Sequence, residues 1–329
     1  MRERGVPLEG VIAKTVKSLY EGGFEISKPY TNERSSINLV ARSGDKLVLI
    51  KALSDASELK SCCATEIKKA SYALRGSPLV VSEREGPHEI DKEVAYEKQG
   101  LYVVHPEALK DYLEGRRQYV YYKGGRFYVK IEGKKLREIR ERIGLSLGGL
   151  ANLLGITRKA VYEYEKGEIN ATVDVASKLY EVLSKYVGEE GALQAFKPID
   201  ILDNITTVES KEGWRSEESD RGGRLRLQEE VALKLSRLGF SIFRFKEAPF
   251  NIIAKKNGEG GRTLLILTLE VLSDKFKEEL EVLREVAEVA KVKRLVVTRK
   301  ASREDGVISA KKLDNMSSPE ELIEVASFG

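Results

Sequence analysis

Apolar residues recur at helical spacing in several short runs within residues 134–183, and this pattern constrains the fold of the chain most strongly. Between the second and third runs, Gly155 and Ile156 predict a tight turn, and Thr157 predicts the N-cap of the next helix. Gly167 ends that helix. The segment therefore predicts four short helices, whose inward-facing residues are Leu136, Ile139, Ile143, Leu147, Leu150, Ala151, Leu154, Val161, Tyr164, Ala176, Leu179, Tyr180 and Leu183.

A generic four-helix bundle would explain the apolar spacing, but not the small Ala151, the Gly-Ile-Thr turn and the Glu-Lys-Gly terminus together. With these features the segment resembles the phage-repressor or Cro-type (XRE-like) helix-turn-helix. In that family the recognition helix lies in the major groove with its N-terminal residues on base edges. The resemblance places this helix at residues 157–166 and implies contacts with double-stranded DNA from Ser146, Thr157, Arg158, Lys159, Tyr162, Glu163 and Lys166.

The chemistry of these side chains suits that role. Arg158 and Lys159 can donate to guanine O6 and N7, and Glu163 can accept from cytosine N4. Tyr162 can reach a phosphate or a thymine methyl group, and Lys166 matches a phosphate-contacting position of the family. For Arg158, a contact with phosphate alone is the alternative interpretation.

Two further positions follow from the resemblance, and three depart from it. Arg140 and Glu165 match a family pair that bridges the first and third helices, so we expect a partly buried structural ion pair. The family often has Gln where this chain has Leu147, so that phosphate contact is lost. Gly148 and Gly149 weaken the first turn of the second helix, either for close approach to DNA or through looser packing.

The segments on either side of this module repeat the same order of predicted elements. Each has a helix, two strands, a helix and a strand, at an offset of about 213 to 219 residues. Residues 36–41 are echoed by 249–254, residues 47–51 by 264–268, and residues 79–82 by 295–298; a Leu-Ser-Asp sequence follows at 53–55 and 272–274. Order and spacing favour an internal duplication over two unrelated α/β domains.

The order of elements in each copy resembles the restriction-endonuclease-like fold shared by Holliday-junction resolvases. Active members place an Asp on one strand and a Glu-x-Lys or Gln-x-Lys sequence on the next, which hold Mg²⁺ and activate water. The matching positions here are Asn38, Leu49 and Lys51 in the first copy, and Asn251, Ile266 and Thr268 in the second. Because Leu cannot bind Mg²⁺ and Asn is a poorer ligand than carboxylate, the resemblance implies two inactive copies. Glu33, Asp45 and Asp55 are the carboxylates that could substitute.

An aromatic hairpin is predicted at residues 119–131, with a Lys-Gly-Gly-Arg turn. Its basic residues are Lys123, Arg126 and Lys130, and its aromatic residues are Tyr119, Tyr121, Tyr122, Phe127 and Tyr128. One interpretation is a wing that contacts DNA, and the other is a hairpin that packs one aromatic face on its neighbours.

Composition narrows the class of protein. The net charge of +4 is too small to indicate nucleic-acid binding by itself. Apolar runs are strand-sized and the N-terminus lacks an apolar signal segment, so we expect a cytoplasmic protein with no membrane span. The two cysteines are adjacent and the chain has two histidines, which predicts reduced thiols and no zinc site. No phosphate-binding glycine loop or nucleophile constellation is evident, so no cofactor is expected.

The sequence thus predicts a multidomain α+β protein, with a central all-α module of four to five helices flanked by two similar α/β domains. The whole arrangement resembles an archaeal family of HTH-type transcription regulators, which favours a sequence-specific regulator rather than an enzyme. Because a single module of this kind contacts only a few base pairs, we expect a homodimer bound to a pseudo-palindromic site. The alternatives are a structure-selective DNA-binding or repair protein and an adaptor whose helix-turn-helix binds protein. The expected segments are 1–117 (nuclease-like), 118–132 (connecting hairpin), 133–205 (helix-turn-helix), 206–226 (charged linker) and 227–329 (second nuclease-like copy).

Overall fold

A computed structural model describes residues 7–202, 227–256, 262–270, 276–300 and 304–328. The chain forms two compact units. The first comprises residues 1–89, 99–101 and 202–329, and the second comprises residues 90–98 and 102–201. The whole second nuclease-like segment and residues 1–89 of the first therefore belong to the first unit. Residues 90–98 and 102–117, which were expected in the first nuclease-like segment, belong to the second unit together with the helix-turn-helix. The charged linker expected at 206–226 and the Leu-Ser-Asp sequence at 272–274 lie outside the described residues.

The N-terminal copy begins with a helix that buries one apolar face and ends at Gly22 and Gly23, where Gly23 takes a positive φ of 74°. A two-residue turn at Gly44 joins the antiparallel strands β2 and β3, and a buried helix then leads to β4, which runs parallel to β3. A 3₁₀ turn at Ala56–Glu58 precedes that helix, which begins at Ser61. The elements are α1 (Leu8–Glu21), β1 (Glu25–Ile26), β2 (Leu39–Ser43), β3 (Lys46–Ala52), α2 (Ser61–Leu74), β4 (Ser77–Val81), β5 (Arg84–Glu85) and β6 (His88–Glu89).

The second unit contains the four predicted helices together with short strands. Its elements are β7 (Val94–Lys98), β8 (Leu101–Val104), α3 (Pro106–Leu113), β9 (Val120–Lys123), β10 (Arg126–Ile131), α4 (Gly133–Arg142), α5 (Leu147–Leu154), α6 (Arg158–Lys166), β11 (Ala171–Thr172), α7 (Val173–Leu193) and β12 (Phe196–Lys197). The predicted inward-facing residues of α4 to α7 share one core.

The helical module differs from expectation because it is not all-α. Val129 and Ile131 of β10 and Phe196 of β12 lie in the same core as the helices. β10 pairs with β9, β11 and β12, so the hairpin is part of this module rather than a connector. The physical reason is that short helices leave an apolar face at one end, and the strands cover it.

The C-terminal part of the first unit repeats the N-terminal copy strand for strand. Its strands pair in the order antiparallel, antiparallel, parallel, as β1 to β4 do. The elements are α8 (Leu227–Arg237), β13 (Phe240–Arg244), β14 (Ile252–Lys256), β15 (Thr263–Leu269), α9 (Phe276–Ala290), β16 (Lys293–Thr298), β17 (Val307–Ser309), α10 (Ala310–Asp314), α11 (Pro319–Val325) and β18 (Ser327–Phe328).

An ion pair occupies the same place in both copies with its charges exchanged. Lys14 of α1 bonds Glu83 after β4 at 2.8 Å. At positions 216 residues later, Glu230 of α8 accepts from Arg299 after β16, with an Nη2–Oε1 distance of 3.0 Å. Shared topology and a reversed pair at one offset support the interpretation of a duplication. No helix among the described residues is long and apolar enough to cross a membrane.

Candidate nucleic-acid interface

The sequence around α6 fixes both of its ends. Gly155 takes a positive φ of 70° in the preceding turn, and the Thr157 hydroxyl accepts from the Ala160 N–H at 3.1 Å. Gly167 ends the helix with a φ of 71°. Val161 and Tyr164 are buried against the other helices, so the opposite face of α6 points to solvent. All residues predicted to contact DNA, except Ser146, lie on this short helix or at its N-cap.

The solvent face of α6 starts with two exposed cations, Arg158 and Lys159. Lys159 lies 3.5 Å from Glu163 one turn later, with the lysine side chain 82% exposed and the glutamate 24% exposed. Such an exposed pair contributes little to stability, so both groups are free to exchange partners. Tyr162 is 48% exposed, and the Lys166 ammonium lies 5.5 Å from the centre of its ring. The face thus presents three cations, one carboxylate and one phenol.

Ser146 caps α5, as its Oγ accepts from the Gly149 N–H at 3.0 Å. A Cβ on Gly148 would meet only the Ser146 hydroxyl, at 3.8 Å, so packing within the protein does not require glycine there. Close approach to DNA therefore stays a prediction for Gly148.

Arg140 and Glu165 form the ion pair that the sequence predicts. The two Nε–Oε1 and Nη2–Oε2 distances are 2.5 and 3.0 Å, and the side chains are 9% and 7% exposed. Arg140 Nη1 also donates to the Leu145 carbonyl at 2.9 Å, so one guanidinium ties α4 to α6 and to the turn before α5. The bond to Glu165 raises the pKa of Arg140. The pair fixes the position of α6 without facing solvent.

Sequence patterns missed two contacts that hold α6 and the segment after it. A Cβ on Gly133 would lie 2.5 Å from the backbone oxygens of Tyr164 and Glu165, so only glycine lets α4 approach the end of α6 this closely. Asn170 Nδ2 donates to the Tyr121 hydroxyl at 3.0 Å. A glycine amid good helix formers at the start of α4 was the available signal for the first contact; nothing local signals the second.

The aromatic hairpin packs within its own unit. Tyr121 is buried and stacks on Tyr128 at 5.6 Å between ring centres, and Tyr122 contacts Tyr96 at 5.4 Å. The Lys123 ammonium pairs with Glu97 at 2.6 Å, and Lys130 donates to the Tyr102 hydroxyl at 2.8 Å. These partners favour the packing interpretation over a wing on DNA.

The nuclease-like positions of the first copy are occupied by side chains that are buried or bonded to the backbone. Leu49 is fully buried. The Lys51 side chain is also buried, which lowers its pKa, and its ammonium donates to the Glu33 carbonyl at 2.9 Å. Asp55 Oδ1 accepts from the Ser57 and Gly86 N–H groups at 2.7 and 2.8 Å, so it serves as a cap. In the described part of the chain, no group of three His, Cys, Asp or Glu residues is arranged to hold a metal ion.

Asn38 and Asn251 have the same structural role in the two copies. Asn38 Oδ1 accepts from the Ala52 N–H at 3.0 Å, and Asn251 Oδ1 accepts from the Thr268 N–H at 2.7 Å. Each side chain thereby holds the ends of two neighbouring strands together.

The assignment of Ile266 and Thr268 as the second copy's nuclease positions is wrong by one residue. Ile252 pairs with Ile266 as Leu39 pairs with Ile50, so the residues equivalent to Leu49 and Lys51 are Leu265 and Leu267. A shift of one residue moves every side chain of a strand to the opposite face of the sheet. In a short strand made only of apolar residues, the sequence does not show which register is correct. The corrected positions also lack a carboxylate.

We expect Asn38→Asp to destabilise the protein rather than restore a metal ligand. Asn38 Nδ2 donates to the Tyr30 and Asn32 carbonyls at 2.7 and 3.3 Å, and a carboxylate there would face two acceptors. The expected loss in the free energy of unfolding is about 2–3 kcal/mol, measured by urea denaturation. Asn251→Asp is the matched control, since the carboxylate would keep the Thr268 contacts; equal losses in both variants would contradict this account.

Comparisons with known proteins agree with this geometry. A model of the PD-(D/E)XK superfamily domain matches residues 8–118, and a helix-turn-helix model matches residues 136–188. No solved structure gives a significant match to this chain.

Archaeal proteins match along most of the chain. A protein of Methanocaldococcus jannaschii is 31% identical over 320 residues, which cover 96% of this chain and 95% of the relative. One of Pyrococcus horikoshii is 33% identical over 293 residues, 88% of each chain, and one of Archaeoglobus fulgidus is 31% identical over 246 residues, 74% of each. All three carry the name "Putative HTH-type transcriptional regulatory protein". At this identity and coverage, the chain belongs to this archaeal family of HTH-type transcriptional regulatory proteins.

Proposed function

We propose that the protein is a sequence-specific transcription regulator that binds double-stranded DNA with α6 in the major groove. The observation that carries this proposal is the solvent face of α6, which starts with Arg158 and Lys159 on a helix fixed by the buried Arg140–Glu165 pair. A rigid helix whose first turn carries cations suits recognition of base edges, with Glu163 and Tyr162 as further contacts. Lys166 and Ser146 would contact the phosphate backbone, which sets position but not sequence.

A homodimer on a pseudo-palindromic site is the second element of the proposal. One module of this size contacts a few base pairs, which gives too little discrimination within a genome. Two modules related by two-fold symmetry would contact two half-sites and multiply the specificity.

The nuclease-like copies act as a scaffold and do not cut DNA in this proposal. Supporting it, Leu49 and Lys51 are buried, and Asn38 uses its amide in bonds to backbone carbonyls. The match of residues 8–118 to a nuclease superfamily favours a second candidate function, recognition of branched DNA by these copies.

The test compares a random-sequence duplex with a four-way junction of equal length, with salt varied and Mg²⁺ present or absent. We expect binding to both at low salt, a steep fall in affinity as salt rises, no preference for the junction and no cleavage. A junction preference of tenfold or more would support the second candidate instead. Cleavage that requires Mg²⁺ would contradict the scaffold role, and no binding at low salt would contradict DNA recognition altogether.

A further inference from the structure

The two nuclease-like copies pack against each other within the first unit, each with the same elements. Helix α2 of the N-terminal copy lies on β13 and β14 of the C-terminal copy, and helix α9 of the C-terminal copy lies on β2. Because α2 and α9, and likewise β2 and β14, are equivalent elements, the contact is reciprocal. This is the arrangement of an isologous dimer, in which each partner offers the same surface.

Individual contacts follow the same two-fold relation. The strand pairings make Lys28 equivalent to Arg244 and Lys69 equivalent to Glu285, each 216 residues apart. The Lys28 N–H donates to the Glu285 carboxylate, and the Lys69 ammonium donates to the Arg244 carbonyl. Both contacts join the end of a first strand to the middle of the partner's helix. Their chemistry is opposite, since the helix offers an acceptor in one and a donor in the other.

The helix C-termini give a further related pair of contacts. Arg42 donates to the Val289 and Ala290 carbonyls at 2.6 and 3.0 Å, where a cation suits the end of α9. Its equivalent Lys255 lies near Arg75, which follows α2, and burial and the charge of Arg75 lower the pKa of Lys255. Arg75 and Lys291, which end the two helices, both take positive φ values of 56° and 55°.

Other contacts break the symmetry and belong to one side only. The Glu66 side chain on α2 is buried and accepts from the Lys246 and Glu247 N–H groups at 2.6 and 3.1 Å. Its equivalent on α9 is Val282, which cannot accept. The Lys28 ammonium pairs with Glu281 at 2.7 Å, where α2 has Thr65. The two halves of the contact surface are therefore complementary but no longer identical.

We propose that the C-terminal copy is the built-in dimer partner of the N-terminal copy, and that each has diverged to bind the other rather than its own kind. Two N-terminal copies paired in this way would bring the Lys69 ammonium to the Lys28 N–H, a donor facing a donor. Two C-terminal copies would bring the Glu285 carboxylate to the Arg244 carbonyl, an acceptor facing an acceptor. Each like pair would also lack either the Lys28–Glu281 pair or the Glu66 contacts.

A consequence for assembly follows without relying on the proposed function. One chain closes this surface on itself, so two chains can associate only through other surfaces or by exchanging their C-terminal copies. The same hydrogen bonds and ion pairs form in the intrachain contact and in a dimer with exchanged C-terminal copies. The two arrangements differ only in whether the C-terminal copy belongs to the same chain or to the other chain.

Cross-linking separates those two arrangements. Lys28→Cys and Glu281→Cys, in a Cys62→Ser background that removes the exposed native thiol, would place two thiols within reach of a short bis-maleimide. We expect the main product on denaturing gels to be a monomer in which one reagent joins the two thiols. The two single-cysteine variants, which cannot form this cross-link, are the controls. Cross-linked dimer as the main product, at micromolar and lower concentration, would overturn the intrachain assignment. Failure of the two-thiol protein to cross-link would overturn the contact itself.

Cutting the chain tests whether the two copies hold each other. A protease site inserted between residues 210 and 220 allows cleavage of the folded full-length protein. We expect the halves to stay together in 1:1 stoichiometry, and the separated C-terminal half, which carries one copy alone, to stay monomeric. Glu66→Ala should weaken the association by about 10- to 100-fold, because the Lys246 and Glu247 N–H groups lose a charged acceptor that is itself buried. Glu9→Ala, an exposed carboxylate on α1, is the control.

The variants are compared for helix content before cleavage, so that a folding defect is recognised. Spontaneous separation of the wild-type halves would overturn the proposal. An equal affinity in the Glu66→Ala, Glu9→Ala and wild-type proteins would show that the named contacts do not hold the copies together.

Discussion

Replacement of both Arg158 and Lys159 by Ala is expected to lower affinity for the protein's preferred DNA sequence by at least about 100-fold, since each base contact of this kind contributes about 1–3 kcal/mol. That sequence is identified by selection from a random duplex library. Both side chains are exposed in the first turn of α6, so their loss removes no packing. Affinity for unrelated duplex should fall much less, because phosphate contacts elsewhere remain. Fluorescence anisotropy with a specific and a scrambled duplex, at one fixed salt concentration, measures both effects.

The matched control for this variant is Lys178→Ala, which removes an exposed cation from α7 of the same unit. It should change both affinities slightly and leave their ratio unchanged. If the double variant lost specific and non-specific affinity equally, Arg158 and Lys159 would be phosphate contacts only. Unchanged affinity would place recognition outside α6.

Arg140→Met is expected to cost about 3–5 kcal/mol of unfolding free energy, since it leaves the Glu165 carboxylate buried without its partner. Glu165 is 7% exposed and accepts two bonds from this one guanidinium, which also holds the Leu145 carbonyl. Chemical denaturation followed by circular dichroism measures the loss. Arg140→Met combined with Glu165→Leu should recover much of it, because the uncompensated charge is then gone.

The exposed pair of Arg137 and Glu141 on the same helix provides the comparison. Their side chains are 65% and 53% exposed at a distance of 2.8 Å. Arg137→Ala should lower the free energy of unfolding much less than Arg140→Met does, as usual for surface pairs. Equal losses for Arg137→Ala and Arg140→Met would show that burial of the Arg140–Glu165 pair has no energetic consequence.

Local signals in the sequence predicted the helix-turn-helix closely. Apolar spacing, the N-caps Ser146 and Thr157 and the turn glycines Gly155 and Gly167 act within a few residues, so each leaves a direct mark in the sequence. The Arg140–Glu165 pair was predicted through family resemblance, since no spacing rule relates residues 25 positions apart.

The errors arose where distant segments decide the structure. The register of β15 against β14 depends on the length of the connection before it, so apolar alternation alone placed Ile266 and Thr268 one residue away from the equivalent positions. The hairpin at 118–132 was taken for a connector because Val129 and Ile131 of β10 join the helical core only in the folded unit. The reciprocal contact of the two copies was not predicted, since Glu66 on α2 bonds to a backbone whose position only the fold reveals.

Selection from a random duplex library tests the central claim most directly, with the wild-type protein and the Arg158→Ala, Lys159→Ala variant compared side by side. The account predicts an enriched motif with two-fold symmetry, its half-sites about one or more helical turns apart, and no such motif with the variant. Enrichment that survives both substitutions, or no enrichment for the wild-type protein, would contradict recognition through α6.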